Sequence, residues 1–387
     1  MYRKTNGNRC TTTLFLLIAT LAAKSTCAQW DIEESHTTAS LRGIHNVGGG
    51  VAWASGTNGT VLRTEDGGYL WQTCTIPPGA EKLDFRGIQA FDENTAIVMS
   101  SGTGDLSRLY KTTDACQTWT LLFTNPDKEG FWDAIQALNK DVVEIVGDSV
   151  DHVLVNEKTG HVIPVWRFNQ GDDPDSRTSD HFFELVVDPK EGGFAASNST
   201  LVIGAVPHRD PIWSYQWLAT QTPDHSYVHR EAAEETPTCE PCRMESLRVE
   251  TPMSQGSPSA GIFSLAFRED RFGIAVGGDY QKPTVTTKTA AYSNDAGKTW
   301  QLTRTPPHGY RSSVAYDAQQ KLWITVGPNG TDISTDDGKN WQPLKPSGYD
   351  PPDADKNWNA LSLPFVVGPH GRIGRLRTID LKPEHPK

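Results

Sequence analysis

The chain has 387 residues, of which 36% are hydrophobic and 21% are charged, and its formal net charge at pH 7 is −11. These values are typical of a globular protein and exclude a disordered or membrane-embedded chain. The acidic balance argues against nonspecific nucleic-acid binding, which needs clustered Lys and Arg facing phosphates.

The N-terminus has the three parts of a secretory signal. A basic stretch ends at Arg9, an apolar run covers residues 14–23, and small residues lead to a cleavage site after Ala28. The apolar run is about half as long as the ~20 residues that a membrane-spanning helix needs. We therefore expect residues 1–28 to be a signal peptide and the mature protein to be secreted or periplasmic. The alternative is a short N-terminal anchor.

Four cysteines follow the predicted signal, namely Cys74, Cys116, Cys239 and Cys242. An even number of cysteines in an oxidising compartment favours two disulfides, and three pairings are possible. A local pair between Cys239 and Cys242 would leave Cys74 to bond with Cys116. A zinc site would need a second ligand pair with similar spacing, and none is present. We expect neither a metal nor a cofactor.

Four segments share the pattern S/T-x-D-x-G-x-x-W, the Asp-box, although the second segment lacks the glycine. Their Asp and Trp residues are Asp66 and Trp71, Asp114 and Trp119, Asp295 and Trp300, and Asp336 and Trp341. In a tight β-hairpin, the Asp accepts backbone N–H groups of the turn and the Trp buries its ring beneath it. The pattern predicts architecture and says little about chemistry, because each Asp is occupied by its own turn.

A second repeat precedes the boxes and begins a strand, as in Leu41-Arg42-Gly43-Ile44 and Phe85-Arg86-Gly87-Ile88. Degenerate copies extend the series to seven units of short strands. The units lie near residues 41–75, 84–123, 131–167, 181–220, 261–302, 310–344 and 356–381. Four strands in roughly 40 to 50 residues is the period of a propeller blade. The sequence therefore predicts an all-β fold, a seven-bladed β-propeller with Asp-box hairpins.

Two regions do not follow the repeat. The last unit lacks a box and a fourth strand, and residues 29–32 are predicted to supply that strand and close the ring. Residues 221–259 are rich in Pro, Glu and Ser. We interpret this stretch as a loop insertion in a single domain that covers residues 29–387.

The strand motif, the Gly-ended second strand and the T-x-D-G-G-x-x-W box together resemble the photosystem II assembly and stability factors of cyanobacteria and chloroplasts and their non-photosynthetic bacterial relatives. The resemblance extends over roughly residues 30–381 and is weakest in the third and fourth units. It implies a seven-bladed propeller that binds a membrane-protein partner and carries no catalytic activity. The pattern also occurs in bacteria without a photosystem, so we interpret the chain as a non-photosynthetic bacterial member.

Equivalent positions in successive blades fall on one ring around the propeller axis. The Arg position of the strand motif is held in turn by Arg42, Arg86, Asp133, Phe183, Phe263, Arg311 and Asn359. The resemblance implies that such arginines form a partner-binding patch near the channel mouth. The alternative is that each arginine pairs with a neighbouring carboxylate or carbonyl and ties blades together.

A sialidase-like glycoside hydrolase is the alternative function, because sialidases also carry Asp-boxes. Their early Arg-Ile-Pro signature is absent here, and Arg372-Ile373-Gly374 is a near miss at the wrong end. A glycosidase of another type needs two carboxylates facing a cleft, for which Asp133 and Glu184 are the candidates. No strong catalytic constellation remains. We expect a monomeric, noncatalytic scaffold that recognises a protein or peptide through one face of the propeller.

Overall fold

The computed structural model describes residues 30–153, 159–169, 179–205, 212–236, 239–346 and 350–378. Nearly all of its regular structure is β-strand, and the 3-10 turn Gly104–Leu106 is the only helical segment in these residues. None of these residues belongs to a helix long and apolar enough to cross a membrane. The fold is therefore all-β, as predicted.

The strands form seven sheets, each of which is one blade of a β-propeller. Strand β1 (Trp30–Glu33) precedes the first blade. The first blade contains β2 (Leu41–Gly48), β3 (Val51–Gly56), β4 (Val61–Thr64) and β5 (Gln72–Thr73), and the second contains β6 (Phe85–Ala90), β7 (Ala96–Ser100), β8 (Arg108–Thr112) and β9 (Thr120–Thr124). The third contains β10 (Trp132–Ala137), β11 (Val142–Gly147), β12 (Val150–Val153), β13 (Thr159–Asn169) and β14 (Ser179–Val186).

The remaining blades continue in chain order. The fourth contains β15 (Leu201–Ala205), β16 (Ile212–Gln221), β17 (Ser226–Thr236) and β18 (Cys239–Thr251), and the fifth contains β19 (Ala260–Arg268), β20 (Phe272–Asp279), β21 (Ala290–Ser293) and β22 (Gln301–Leu302). The sixth contains β23 (Ser313–Asp317), β24 (Leu322–Gly327), β25 (Gly330–Ser334) and β26 (Gln342–Leu344). The seventh contains β27 (Ala360–Ser362), β28 (Phe365–Val367) and β29 (Ile373–Leu376), with β1 as its outer strand.

Strand β1 closes the ring, as the sequence predicts. It pairs antiparallel with β29, so that Trp30 lies opposite Leu376 and Glu33 lies opposite Ile373. The Trp30 ring is buried, and it packs against the Trp358 ring with their centroids 5.9 Å apart. The first and last described strands thus share one sheet, which removes two open edges from the propeller.

The hydrophobic core is divided into clusters that lie between neighbouring blades. Trp53 of the first blade packs in one cluster with Phe85 of the second, and Leu41 packs in another with Phe365 of the seventh. Each blade therefore buries its two faces against its neighbours, which is how a ring of small sheets can form one stable domain.

The four segments predicted as Asp-boxes share one turn geometry. In the first, the Thr64 hydroxyl donates to Asp66 Oδ1 over 2.9 Å, and the same oxygen accepts the N–H of Leu70 over 3.0 Å. The N–H of Leu70 is the main reason why the pKa of Asp66 lies below its ordinary value. Corresponding bonds occur at Asp114, Asp295 and Asp336. The associated tryptophans, Trp71, Trp119, Trp300 and Trp341, are all buried.

The strands in the middle of the chain differ from those predicted from the sequence. Residues 221–259 were expected to be a loop insertion, but much of this stretch forms β17 and β18 of the fourth blade. Residues 181–185 were expected to begin the fourth unit, but they lie in β14, the outer strand of the third blade. Strands β16, β17 and β18 have 10, 11 and 13 residues, much longer than the strands of the repeat. They also lack an Asp-box. Without that pattern, the polar composition of the sequence resembles that of a loop.

The link into the fourth blade enters the central channel. We call residues 192–200 the channel segment. The Asn198 side chain accepts the N–H of Ile135 over 2.8 Å and donates to the Ile88 carbonyl over 3.4 Å. The Ser199 carbonyl accepts the N–H of Leu265 over 2.8 Å. These partners belong to the innermost strands of the second, third and fifth blades, so the channel segment lies inside the ring that these strands form.

Candidate functional site

The ring positions predicted from the strand motif lie at the channel mouth because of a repeated β-bulge. In β2, β6, β10 and β19 the register shifts across the motif residue, which leaves Arg42, Arg86, Asp133 and Phe263 without a direct partner on the next strand. A bulge bends the strand and redirects the side chain of the extra residue. The same irregularity in four blades therefore places four different side chains at one rim of the ring.

Arg42 and Arg86 share the neighbouring carboxylate of Asp84 unequally. Nε of Arg86 donates to Asp84 Oδ2 over 2.8 Å, and its Nη1 donates to the Ala195 carbonyl over 3.2 Å. Nε of Arg42 lies 4.0 Å from Asp84 Oδ1, which is too long for a hydrogen bond. Both of these atoms are buried and have no hydrogen-bond partner among the described residues. The Arg42 and Arg86 side chains are exposed to similar extents, 32% and 29%, so the two differ in pairing, and the Arg42 guanidinium is the less satisfied.

Arg311 does not belong to an exposed patch with Arg42 and Arg86, in contrast to the sequence prediction. Its side chain is only 1% exposed. Its Nε donates to Asp332 Oδ2 over 2.8 Å, and Nη1 donates to the Tyr310 carbonyl over 2.9 Å. Arg311 therefore follows the alternative reading, in which the arginine is used by an intramolecular ion pair.

Two more residues of the predicted ring, Asn359 and Phe183, do not add an unpaired side chain to the mouth. The Asn359 amide donates to the Leu41 carbonyl over 2.7 Å and so links the seventh blade to the first. Phe183 belongs to β14, the outer strand of the third blade, where it lies opposite Val165 of β13. Its side chain falls outside the described part of the structure. The ring position of the fourth blade is taken instead by the channel segment, because β14 does not begin that blade.

Asp133 lies beneath the mouth beside a second carboxyl group. It is 2% exposed, and its Oδ2 accepts the N–H of Gly193 over 3.2 Å. Burial raises the pKa of Asp133 well above its ordinary value, and the neighbouring Asp148 adds to the effect. Burial also raises the pKa of Asp148, to about 6. A side chain as buried as Asp133 cannot face a sugar in a cleft, which removes it as one of the two glycosidase carboxylates.

An aromatic cluster around the predicted ring residue Phe263 occupies the other side of the mouth, and sequence reasoning missed its other members. The rings of Phe194 and Phe263 are stacked with their centroids 3.7 Å apart, and Tyr310 meets Phe263 edge-on at 4.7 Å. Tyr280 lies at right angles to Phe194 at 6.5 Å. Phe194 follows two glycines in a segment without strand periodicity, so only its aromatic character marked it in the sequence.

The cationic and aromatic sides of the mouth are in contact. The Ala195 carbonyl that accepts Arg86 belongs to the residue after Phe194. Burial raises the pKa of the Tyr310 hydroxyl, and the nearby Arg42 partly opposes that increase. Within the described residues, no group of three or more His, Cys, Asp or Glu side chains is arranged to hold a metal ion. The mouth therefore combines guanidinium groups with neighbouring aromatic rings.

The mouth is separate from two cavities of the structure. Two cavities of about 570 and 510 Å³ lie elsewhere, one beside Arg311 and Lys356 and the other beside Glu34 of the closing strand. Neither cavity is lined by Arg42, Arg86 or Tyr280. We place the candidate site at the mouth because the unsatisfied Arg42 guanidinium and the exposed Tyr280 ring are there.

The structure is a seven-bladed β-propeller with arginine and aromatic side chains at one rim of its channel. The model of the family described as photosynthesis system II assembly factor YCF48 matches residues 22–162, about a third of the chain. The resemblance inferred from the sequence motifs is thereby confirmed.

Solved structures extend the likeness in fold to most of the chain. "YCF48 bound to D1 peptide" has 16% identity and a TM-score of 0.54, and the match covers 91% of this chain and 97% of that one. "YCF48 from Cyanidioschyzon merolae" has 15% identity and a TM-score of 0.51, covering 90% and 99%. The WD40 β-propeller domain of Doa1 has 8% identity and a TM-score of 0.50, covering 91% and 97%. A search of curated proteins gave no match.

Proposed function

We propose that this protein is a noncatalytic scaffold that binds an extended peptide segment of a partner protein across its channel mouth. The observation that carries the proposal is the state of Arg42, whose Nε is buried without a partner while about a third of its side chain remains exposed. A guanidinium offers forked donors that match a carboxylate. The ligand class is therefore a peptide with an acidic side chain or a terminal carboxylate.

The comparison with known proteins supports a peptide ligand. One of the propellers with a similar fold was solved as YCF48 bound to a D1 peptide. A peptide ligand on a propeller of this kind is thus precedented, and the residues at this mouth supply the chemistry for one. We further propose that the protein is exported by its N-terminal signal and works as a monomer. Its partner would be an exported segment of a membrane-protein complex.

Charge reversal at the mouth tests the proposal. Arg42→Glu should abolish capture of the partner from the source organism's envelope fraction, because it replaces an anion-binding fork with a repelling carboxylate. Arg86→Glu should act in the same direction, although it also removes the bond to Ala195. The matched control is Arg271→Glu, an exposed arginine at the β19–β20 turn on the opposite rim. Capture at full strength by Arg42→Glu, with a normal circular dichroism spectrum, would place the partner site elsewhere.

An activity screen separates the scaffold from the glycoside hydrolase alternative. We expect no turnover of chromogenic glycosides or sialosides by the purified protein. Turnover that survives Arg42→Glu would show a separate active centre and contradict a noncatalytic role.

A further inference from the structure

The aromatic side of the mouth has a buried base and an exposed top. Phe263 is 3% exposed and Tyr310 is 7% exposed, whereas Tyr280 is 49% exposed and Phe194 is half-buried. Phe263 is stacked on Phe194 and lies edge-on to Tyr280 with centroids 6.1 Å apart. The exposed rings are therefore backed by packed rings, and rigid aromatic surfaces of this kind often dominate the energy of protein interfaces.

This aromatic surface is adjacent to the proposed carboxylate site. Phe194 is joined through Ala195 to Arg86, and Tyr310 comes close enough to Arg42 for each to influence the pKa of the other. An extended chain advances about 3.3 Å per residue, so neighbouring residues of one peptide can reach both parts. The channel segment fills the space below, because Asn198 and Ser199 are bonded to three blades. The channel segment therefore obstructs the channel below the mouth, which favours a peptide that lies across the mouth.

We propose that the partner segment carries an aromatic or large aliphatic side chain within two residues of its acidic group, and that Tyr280 and Phe194 bind this side chain. This inference rests on the proposed function, since it assumes that Arg42 binds the acidic group. It adds a specificity that charge alone does not provide. A purely acidic segment would satisfy the guanidinium and leave the Tyr280 ring in water, whereas the proposed segment covers both.

Short labelled peptides test this specificity without knowledge of the natural partner. The probes are fluorescein-labelled Gly-Ser peptides with one central Asp, flanked on either side by Phe, Leu or Ser, and a matching set with Asn in place of Asp. The wild-type protein should bind the Asp-Phe or Phe-Asp probe about tenfold more tightly than the Asp-Ser probe, because a large apolar side chain is removed from water. The Asn series should bind weakly throughout.

Substitutions at the mouth assign the preference to its residues. Tyr280→Ala should reduce the preference for Phe over Ser to about twofold or less, while the remaining Asp-dependent binding still requires Arg42. Tyr280→Phe should keep the preference. Tyr69→Ala is the matched control, because Tyr69 is 80% exposed on the β4–β5 turn at the opposite rim; it should change nothing.

The failures of the two ideas are distinguishable. Equal binding of Phe and Ser probes with Asp dependence intact would overturn the aromatic specificity and leave the proposed function standing. A full preference in Tyr280→Ala would also overturn it. Binding that depends on neither Asp nor Arg42 would overturn the proposed function itself.

Discussion

Arg311 and Asp332 form an ion pair that is buried in the sixth blade. Nε of Arg311 lies 2.8 Å from Asp332 Oδ2, and the two side chains are 1% and 0% exposed. The other oxygen of Asp332 lies 2.7 Å from Nδ1 of His308. Arg42 occupies the same position of the repeat but has no hydrogen-bonded carboxylate. The same motif position is thus held in a buried ion pair in the sixth blade and is partly exposed without a hydrogen-bonded carboxylate in the first.

Substitution of the two arginines should separate these roles. Arg311→Met leaves Asp332 buried without its cation, which should lower the free energy of unfolding by about 3–5 kcal/mol. Arg42→Met removes a partly exposed side chain with no hydrogen bond and should cost about 1 kcal/mol or less. Urea unfolding of both variants measures the difference. Similar costs for the two substitutions would contradict the contrast drawn between them.

The tryptophan of the third Asp-box segment should be a large contributor to stability. Trp300 is 8% exposed and lies edge-on to Phe267, with ring centroids 6.0 Å apart, in the cluster between the fourth and fifth blades. Trp300→Ala should lower the free energy of unfolding by about 3–5 kcal/mol, the range for large core truncations. Tyr69→Ala removes an exposed ring from the first Asp-box segment and serves as the control. An unchanged melting temperature for Trp300→Ala would disprove a structural role for this residue.

The fold could be predicted from the sequence wherever the repeat is local. The residues that make up each Asp-box, or each bulged strand motif, lie within a few positions of one another. These local patterns can therefore be recognised in the sequence, and their spacing along the chain identifies the blades. The closing strand was also recognisable, because residues 29–32 lie outside any unit and the last unit lacks a fourth strand. The fourth blade was missed because its long strands and polar hairpins carry no local signature.

The site was predicted less completely, because burial depends on partners that are distant in sequence. Arg42 and Arg311 are indistinguishable as motif residues, and the difference arises from their carboxylate neighbours: Asp332 on β25 is hydrogen-bonded to Arg311, whereas Asp84 lies 4.0 Å from Arg42 Nε and is hydrogen-bonded to Arg86. Phe183 was placed on the ring by counting units, and the shifted fourth blade removes it. Phe194 takes part in the mouth only because the channel segment folds inward, which no repeat predicts.

Ring closure should weaken as the pH rises, because of Glu33 on the closing strand. Its Oε2 accepts the Trp71 indole N–H over 2.8 Å, and its Oε1 lies 3.2 Å from Nε of Arg375. Burial nonetheless raises the pKa of Glu33 from 4.5 to about 7. The folded state therefore favours the protonated form, so the contribution to stability is complete below about pH 4.5 and is lost as the pH rises through about 7.

Glu33→Gln isolates this effect, because the amide resembles the protonated acid and does not titrate. Between about pH 5 and about pH 8, the free energy of unfolding of the wild-type protein should fall by roughly 2 kcal/mol more than that of Glu33→Gln. Urea titrations at several pH values provide the comparison. Parallel pH profiles for the two proteins would show that Glu33 is ionised in the fold throughout this range.

Cys116 stands where the other three Asp-box segments have glycine, and it forms a disulfide with Cys74. Its φ is 61°, in the left-handed region that glycine tolerates best. Loss of a crosslink between residues 42 positions apart should cost about 2–4 kcal/mol. The variant Cys74→Ala/Cys116→Gly should be about 1 kcal/mol more stable than Cys74→Ala/Cys116→Ala, because glycine relieves the backbone. Equal stabilities would refute the conformational argument.

The second predicted disulfide remains a prediction. The side chains of Cys239 and Cys242 lie outside the described part of the structure, although both residues belong to β18. Mass spectrometry of the unreduced, alkylated protein tests both bridges together. Four alkylated cysteines in exported protein would contradict the pair between Cys74 and Cys116 as well as the local pair.

Asn198 should hold the channel segment in place through its side chain, and its substitution should loosen the mouth from below. Asn198 has a φ of 58° and is 8% exposed, and its Oδ1 is the acceptor for the buried N–H of Ile135. Asn58 has a φ of 60° but is exposed, so it controls for the backbone effect alone. Asn58→Ala should cost about 1 kcal/mol for the left-handed backbone.

Asn198→Ala should cost about 2–4 kcal/mol, because a buried donor is also left without a partner. Hydrogen exchange gives the sharper readout. The Ile135 amide should lose protection in Asn198→Ala and keep it in Asn58→Ala. If the Asn198→Ala protein also binds the Phe-containing probe more weakly, the position of Phe194 depends on the channel segment beneath it. Equal stability costs and unchanged Ile135 protection would mean that the segment is held by its backbone bonds, with the Asn198 side chain contributing little.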